Sequence, residues 1–379
     1  MNIRLLYPDL RRPETGVLHE LANRRFQARF AVEHGVGTLR CTGWTICPSA
    51  VASGLLKEYE WTTVGRVLGG IYAKRFGVPD VIHAHTLISA GTLAAQLARQ
   101  WRVPWVFTEH STEWLMTPSA STRRVTYARS ASKTASAAIS VSLALLGALV
   151  SYGLSSAPIT GVLPNAVDVK YFAPDGDWNT SRNRKGFRFV YVGSVDRTRK
   201  RTDMLLRAFA GIAGRYADAC LDIVGDGDVA SLGSYADQLG IGRRVAWHGF
   251  LQRDALRSIL RDSDALVHPS RWETFGVSVA EALAAGLPVV VSQSGGVDDI
   301  VTEDLCRLGC ARIAVDDETG FIEAMARLVE AGPSPTEVRR QRSDIVRARY
   351  DLPVVGGAYA RIYEAVLQAG RRGRAGGRS

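Results

Sequence analysis

Two glutamates eight residues apart, Glu273 and Glu281, flank the turn Thr274-Phe275-Gly276 in the stretch Asp264 to Ile300, DALVHPSRWETFGVSVAEALAAGLPVVVSQSGGVDDI. Carboxylates accept hydrogen bonds from sugar hydroxyls, and Gly276 leaves room for a ligand beside a helix start. The first backbone N–H groups of a helix have no partner within it and carry the positive end of its dipole, so they suit a diphosphate. Together these groups outline a site for a nucleotide-sugar. A plain strand, turn and helix with one solvated Glu and one Glu favoured by the dipole would give the same letters, so the rest of the chain must decide.

The elements that must position these groups are legible nearby. ALVHPS reads as a short apolar strand, and VSVAEALAAG as a helix closed by Gly286 before the strand LPVVVS. Glu273 then precedes the helix and Glu281 falls on its second turn. Strand and helix alternate through the whole chain. The first half offers strands NIRLLYP, VGTLRCTGW, VPDVIHAHT, VPWVFTEHS, AAISVS and ITGVLPN; the second offers FRFVYVG, CLDIVGDG, RVAWHGF, DALVHPS, LPVVVSQ and ARIAV. Alternation at this spacing predicts an α/β chain of two Rossmann-like, doubly wound parallel-sheet domains joined by right-handed crossovers. Phe172 to Gly186, polar with Pro and Gly, reads as the linker. The expected division is 1–172, linker 173–186, second domain 187–352, a last helix 353–369 crossing back to the first domain, and a basic disordered tail 370–379. Ligands of such sheets bind at the strands' carboxyl ends, so both domains are expected to face one cleft and to close over it.

A length of 379 residues and 46% hydrophobic content fit a large globular enzyme. The uncharged run between Lys133 and Asp168 is broken by Ser, Gly and Pro and reads as strand, helix and strand rather than a membrane span. Five cysteines (Cys41, Cys47, Cys220, Cys306 and Cys310) form no C-x-x-C pair, and no charged-then-apolar leader opens the sequence, so a reducing cytoplasm is the expected home. The net charge is +10, with 18 Lys or Arg against 12 acids in residues 1–180 and 29 against 25 beyond. Arg24, Arg25, Arg29, Arg123, Arg124 and Arg129 are candidates to dock on anionic lipid at the inner face of the membrane or on an acidic acceptor; a solvated surface explains them equally well. No nucleic-acid partner is expected.

The chain resembles the retaining GT-B glycosyltransferases of family four (group 1). The resemblance rests on the E-x7-E spacing of Glu273 and Glu281, the phrase PVV, PDVIHAH at Pro79 to His85, TEH at Thr108 to His110, ISVS at Ile139 to Ser142 and VLPNAVDVKYF at Val162 to Phe172. It implies that Glu281 holds the ribose hydroxyls of the donor and that Glu273 meets the transferred sugar. Backbone groups of Phe275, Gly276, Val277 and Ser278 would contact sugar and diphosphate. YVGSVDRTRKRTDMLLRAF resembles the family's phosphate-binding strand, loop and helix, with Gly193 in the loop and Lys200 in the lysine place. Ser194 departs from the arginine of many members, leaving Arg197, Arg199 and Arg201 as candidates for the missing charge. Gly16, in the loop Pro8 to Gly16, and His110, at a strand's carboxyl end, would reach the donor from the first domain; Glu109 beside it has loop orientation as its other role. His83, His85 and His268 rank as core or supporting residues. Catalytic roles thus fall to His110, Lys200 and Glu273.

The resemblance further implies transfer of a hexose-type sugar from a UDP- or GDP-sugar to a hydroxyl of a glycan or lipid-linked acceptor, in bacterial surface polysaccharide synthesis. Configuration would be retained by same-face attack, with no protein nucleophile, no cofactor and no required metal. Breaking the bond from the sugar C1 to phosphate loads negative charge on the diphosphate, so Lys200→Ala should cripple turnover with the fold intact. Competing readings start from Gly225-Asp226-Gly227-Asp228-Val229-Ala230. It matches a dinucleotide fingerprint, but the strand about twenty residues on ends at His248 without an acid. Asp226-Gly227-Asp228 also matches a metal-diphosphate pair of a different transferase fold. The favoured reading is a tight turn near the nucleotide, with Gly249 and Phe250 close to its base. A nucleotide-sugar epimerase and a non-catalytic nucleotide-sugar binder are the nearer alternatives.

Overall fold

The computed structural model describes residues 2–3, 26–33, 36–43, 54–116, 122–174 and 186–376. The chain forms two compact units: Met1–Ser140, Leu146–Val162 and Ala360–Ser379 make the first, Val141–Leu145 and Leu163–Tyr359 the second.

The first unit holds a five-stranded sheet of order β1-β4-β5-β6-β7, with β1 at Asn2–Ile3, β4 at Ile82–His85, β5 at Trp105–Glu109, β6 at Ala137–Ser140 and β7 at Ile159–Val162. Every pairing in it is parallel. WVFTE and AAIS are buried at every position, as strands covered on both faces must be. Its helices are α1 (Gly54–Phe76), α2 (Thr92–Trp101), α3 (Thr122–Ser132) and α4 (Leu143–Ser151). The uncharged run after Lys133 resolves into β6, α4 and β7, and no helix among the described residues is long and apolar enough to cross a membrane.

One strand departs from the expected plan. VGTLRCTGW supplies β3 (Val36–Gly43), which pairs antiparallel with β2 (Phe26–Glu33) in a separate two-stranded sheet instead of joining the parallel one. Two eight-residue strands two residues apart form a hairpin, the connection antiparallel strands allow and parallel ones do not.

The second unit opens with the short α5 (Val169–Phe172) and builds six parallel strands: β8 (Arg188–Val192), β9 (Cys220–Val224), β10 (Val245–Gly249), β11 (Ala265–His268), β12 (Val289–Ser292) and β13 (Ala311–Ile313). Between and after them run α6 (Thr202–Arg215), α7 (Val229–Gln238), α8 (Arg253–Asp262), α9 (Val277–Ala284), α10 (Gly296–Ile300), α11 (Glu303–Arg307), α12 (Glu318–Ala331) and α13 (Thr336–Tyr350), followed by α14 (Leu352–Gly376), which counts with the first unit from Ala360 on. The sheet order β10-β9-β8-β11-β12-β13 is the doubly wound order, in which the winding reverses between β8 and β11. Phe189, Tyr191, Leu221 and Ile223 send alternate side chains into one core with Leu205, Phe209 and Ile212 of α6 and Phe321 and Met325 of α12.

The boundaries differ from the composition-based ones in two places. Residues Leu163–Phe172, grouped with the first half by sequence, belong to the second unit: Val167 N–H donates to Tyr350 O at 2.8 Å and Arg253 pairs with Asp168 at 2.7 Å. At the other end α14 runs to Gly376, through Arg371, Arg372 and Arg374 of the expected disordered tail. Arginine is a good helix former, so an arginine-rich stretch can continue a helix. In the first unit Val366 of α14 is buried with Val106 and Ala137, and Ile362 and Tyr363 pack beside them.

The dinucleotide-like glycines have a packing role. A Cβ on Gly225 (φ 141°) would lie 1.8 Å from the carbonyl oxygen of Gly193, and one on Gly227 would lie 2.2 Å from that of Val195. The loops after β8 and β9 therefore touch backbone to backbone. Gly225→Ala should cost ~1–3 kcal/mol by overpacking, which a denaturant melt would measure. The two aspartates of this segment hold backbone: Asp226 Oδ1 accepts from Phe250 N–H at 3.0 Å, and Asp228 caps α7.

Candidate functional site

The reversal between β8 and β11 leaves a crevice at their carboxyl ends, and the loops leaving these two strands carry the charged groups. After β8, Asp196 winds the loop into a cradle. Its Oδ1 accepts the backbone N–H of Thr198 (3.1 Å), Arg199 (2.7 Å) and Lys200 (2.9 Å). Burial opposes ionisation of Asp196, but these donors and the nearby Arg199 charge outweigh it and hold the carboxyl below its usual range. Thr202 closes the turn by donating its N–H to Asp196 O at 2.9 Å.

The three arginines around Ser194 separate by their partners. Arg197 reaches Ser231 Oγ at 3.0 Å, and Arg201 is tied to Asp203 and Asp316. Arg199 alone of the three places its guanidinium on Ser194, donating to Oγ at 3.0 Å. Ser194 thus leaves space that Arg199 fills, with Gly193 adjoining.

Lys200 Nζ meets Glu273 Oε2 at 2.5 Å in a pair whose side chains are only 12% and 13% exposed. His268 Nε2 approaches the same oxygen at 3.1 Å, and Ser270 Oγ lies 2.9 Å from that nitrogen. Burial works against the Glu273 charge, yet His268 and Lys200 overcome it and bring the carboxyl down to about 2. His268 is fully buried, and burial pushes its pKa below the usual histidine value despite the facing glutamate. The result is a buried, ionised carboxylate with a lysine on one side and a neutral imidazole on the other.

Glu273 is held through its backbone too. Its N–H donates to Ser294 O at 2.9 Å and its carbonyl accepts Gly296 N–H at 2.7 Å. The chain then turns at Gly276 (φ 97°), where a Cβ would lie 2.6 Å from Val297 Cγ1, and enters α9. Phe275 is buried edge-on against Tyr350 (ring centres 5.5 Å apart) rather than open to a ligand, so only its backbone is available there. Val279 and Ala280 N–H both donate to Gly276 O, which leaves Val277 and Ser278 ahead of the first helical bonds. Val277 is exposed.

Glu281 lies five residues into α9, on the second turn. Its carboxylate makes no hydrogen bond among the described residues, and burial pushes it up to about 7, with Arg253 opposing. Arg253 is itself fixed by Asp168 and lies 4.0 Å above the Tyr171 ring. Gly249 (φ 60°) ends β10, its carbonyl accepting Gly225 N–H at 2.8 Å, and Phe250 beyond it is 59% exposed.

His110 belongs to the first unit, directly after β5. It faces His85, with Nδ1 of His85 and Nε2 of His110 3.1 Å apart, and His83 stacks on His85 at 4.4 Å. His83 contacts Thr108 Oγ1 at 2.8 Å and Tyr363 OH at 2.6 Å. Glu109 is fully buried and accepts the N–H groups of Leu87, His110 and Ser111, so it orients the loop that carries His110. Gly16 lies outside the described residues.

Lys200, Glu273, Arg199, Ser194 and Gly193 therefore form one neighbourhood with the start of α9. The sequence reading did not single out Asp196, whose signal was an aspartate two to four residues before the amides it accepts. It also missed the contact of His268 with Glu273, that of Ser270 with His268, and Arg253, which the sequence does not mark.

Two parallel-sheet α/β units with this crevice define a GT-B architecture, and solved structures agree on the fold. Sucrose-phosphate synthase from Thermosynechococcus elongatus superposes with a TM-score of 0.70 at 20% identity, over 90% of this chain and 83% of that one. Anabaena Alr3699/HepE in complex with UDP gives 0.69 at 20% identity, over 80% and 82%. Residues 186–331 match the model for "Glycosyl transferases group 1", and residues 17–171 that for "Glycosyltransferase Family 4". The chain belongs to the group 1, family-four-type glycosyltransferases. Curated relatives include a D-inositol 3-phosphate glycosyltransferase of Corynebacterium jeikeium, 27% identical over 86% of this chain and 83% of that protein. A phosphatidyl-myo-inositol mannosyltransferase of Mycolicibacterium smegmatis is 31% identical over 55% of this chain and 52% of its own length.

Proposed function

We propose that the protein transfers a hexose-type sugar from a UDP- or GDP-sugar to a hydroxyl of a glycan or lipid-linked acceptor, with retention of configuration and without a required metal. The observation that carries this reading is the Lys200–Glu273 pair at the reversal point of the second unit's sheet. The HepE structures with UDP and with UDP-glucose, and the inositol and mannosyl transferases among the relatives, support a nucleotide-sugar donor.

In this reading the acceptor oxygen bonds to the sugar C1 on the face the diphosphate leaves, the C1–oxygen bond to phosphate breaks, and the acceptor proton passes to the departing phosphate. Lys200, Arg199 and the start of α9 take up the negative charge that develops there. Glu273, kept ionised, accepts from sugar hydroxyls, and Glu281 from the ribose. A role in building bacterial surface polysaccharide fits such chemistry.

A thermal-shift titration against UDP, GDP, ADP, NAD and nucleotide-sugars, with metal chelated, tests the donor. A ligand that binds only the folded state raises its melting temperature by mass action. The expected result is a shift with UDP or GDP that Glu281→Ala reduces; a shift with NAD alone, or none, would overturn the reading. NMR of the product's anomeric centre tests retention, and isomerisation of the donor without acceptor would make the protein an epimerase.

A further inference from the structure

Glu273 Oε2 has two cationic or N–H neighbours, and only one of them is free to leave. Lys200 ends a flexible stem that can turn its ammonium to a new anion. His268 cannot follow: it is fully buried on β11, and its ring lies nearly parallel to the buried Tyr191 ring, 18° apart with centres at 6.0 Å. Tyr191 is locked in turn by donating to Ser194 O at 2.7 Å.

The tautomer follows from the partners. Nε2 faces both Glu273 Oε2 at 3.1 Å and Ser270 Oγ at 2.9 Å. An ionised carboxylate only accepts, and a proton on the unpartnered Nδ1 would be a buried donor with no acceptor, so the proton is assigned to Nε2, with Ser270 Oγ as its second acceptor. Nδ1 is then a bare lone pair, and among the described residues it has no hydrogen-bond partner. The imidazole is therefore a fixed donor whose Nε2–H is shared between the Glu273 carboxylate and Ser270 Oγ.

We propose that His268 is a positioning residue whose Nε2–H holds the Glu273 carboxylate in place while Lys200 exchanges that carboxylate for the donor diphosphate, an inference that rests on the donor-site reading above. In the unliganded protein Glu273 serves as the internal counter-ion of Lys200. When the diphosphate takes the lysine, Glu273 stays buried and charged, and the His268 hydrogen bond keeps it aimed at the sugar.

The test compares His268→Phe, which keeps a ring against Tyr191 and deletes the donor, with His268→Gln, which offers an N–H at similar reach. His268→Phe should lower kcat ~10- to 100-fold, the worth of a hydrogen bond to a charged group. KM should change little, and the thermal shift with bare nucleotide should equal that of the wild type. His268→Gln should recover most of the loss. A His268→Phe protein that turns over within about twofold of wild type overturns the proposal. So does a His268→Gln protein as impaired as the Phe variant while binding bare nucleotide normally. A merely structural histidine would move nucleotide binding and turnover together. A second arm needs no substrate: His268→Phe should lower the melting temperature in the Glu273 protein and clearly less in a Glu273→Leu background, and equal losses in both overturn the proposal. If the wild type turns over no nucleotide-sugar, the donor-site reading fails by itself, and this melting comparison still decides whether His268 holds Glu273.

Discussion

Replacing Lys200 with alanine is expected to lower kcat by ~10² to 10³, the usual cost of removing one donor from the charge that develops in a transition state. The geometry adds a cost in stability that the sequence did not foresee. Lys200 and Glu273 are paired at 2.5 Å with little solvent access, and deleting one partner strands the other as a buried charge. Breaking such a pair costs about 3–5 kcal/mol. The sign of the pH dependence follows from Glu273, whose folded pKa of about 2 lies below the ordinary glutamate value of 4.5. Its stabilisation is fully present above about 4.5 and is lost as pH falls towards 2, so the penalty of Lys200→Ala should be largest at neutral pH and shrink in acid. The structural loss can be isolated: Lys200→Ala with Glu273→Gln removes the stranded charge, and its melting temperature should recover, while the catalytic loss is read from kcat of the folded Lys200→Ala protein. Near-normal kcat in folded Lys200→Ala would remove the lysine from the chemistry.

Much of the second unit could be read from the chain because its six strands are apolar runs bounded by glycine and polar residues. Each buried parallel strand needs such a run, and each crossover needs a helix, so local pattern and fold agree from FRFVYVG to ARIAV. Glu281 on the second turn of α9 followed from counting residues after Gly276. What escaped depends on partners far away in sequence. Choosing Arg199 over Arg197 and Arg201 requires knowing that Ser231 and Asp316 occupy the other two. The counter-ion of Glu273 is 73 residues before it. The hairpin of β2 and β3 escaped although FQARFAVE alternates Phe26, Ala28, Phe30 and Val32 with mostly polar residues as a one-sided strand does, because strand pairing and direction are not written in composition. The glycines of GDGDVA were legible as a motif and misleading as chemistry. Their need arises from the carbonyls of Gly193 and Val195, which only the folded chain brings against them.

Glu281→Gln is expected to stabilise the unliganded protein at pH 8 while weakening nucleotide binding. Burial raises the Glu281 carboxyl to about 7 in the folded state against the ordinary glutamate value of 4.5, and no hydrogen bond among the described residues compensates the charge. Below about 4.5 the group is protonated in both states and contributes nothing. As pH rises from there to 7, the unfolded chain loses its proton and the folded chain keeps it, so stability falls and then levels off. The full difference is on the order of 3 kcal/mol, at about 1.4 kcal/mol per pKa unit. Melts of both proteins from pH 4 to 9 should therefore diverge between 4.5 and 7 in favour of the glutamine variant. Ribose hydroxyls donating to Glu281 would favour its ionised form, so binding should release a proton. Wild-type affinity should then rise with pH up to about 7, at most about tenfold per unit, and the Gln variant should bind with no such slope. Equal slopes in the two proteins would mean that Glu281 does not meet the nucleotide. Glu281 would then be a buried acid kept at the expense of stability, and the ribose would need another partner in the crevice.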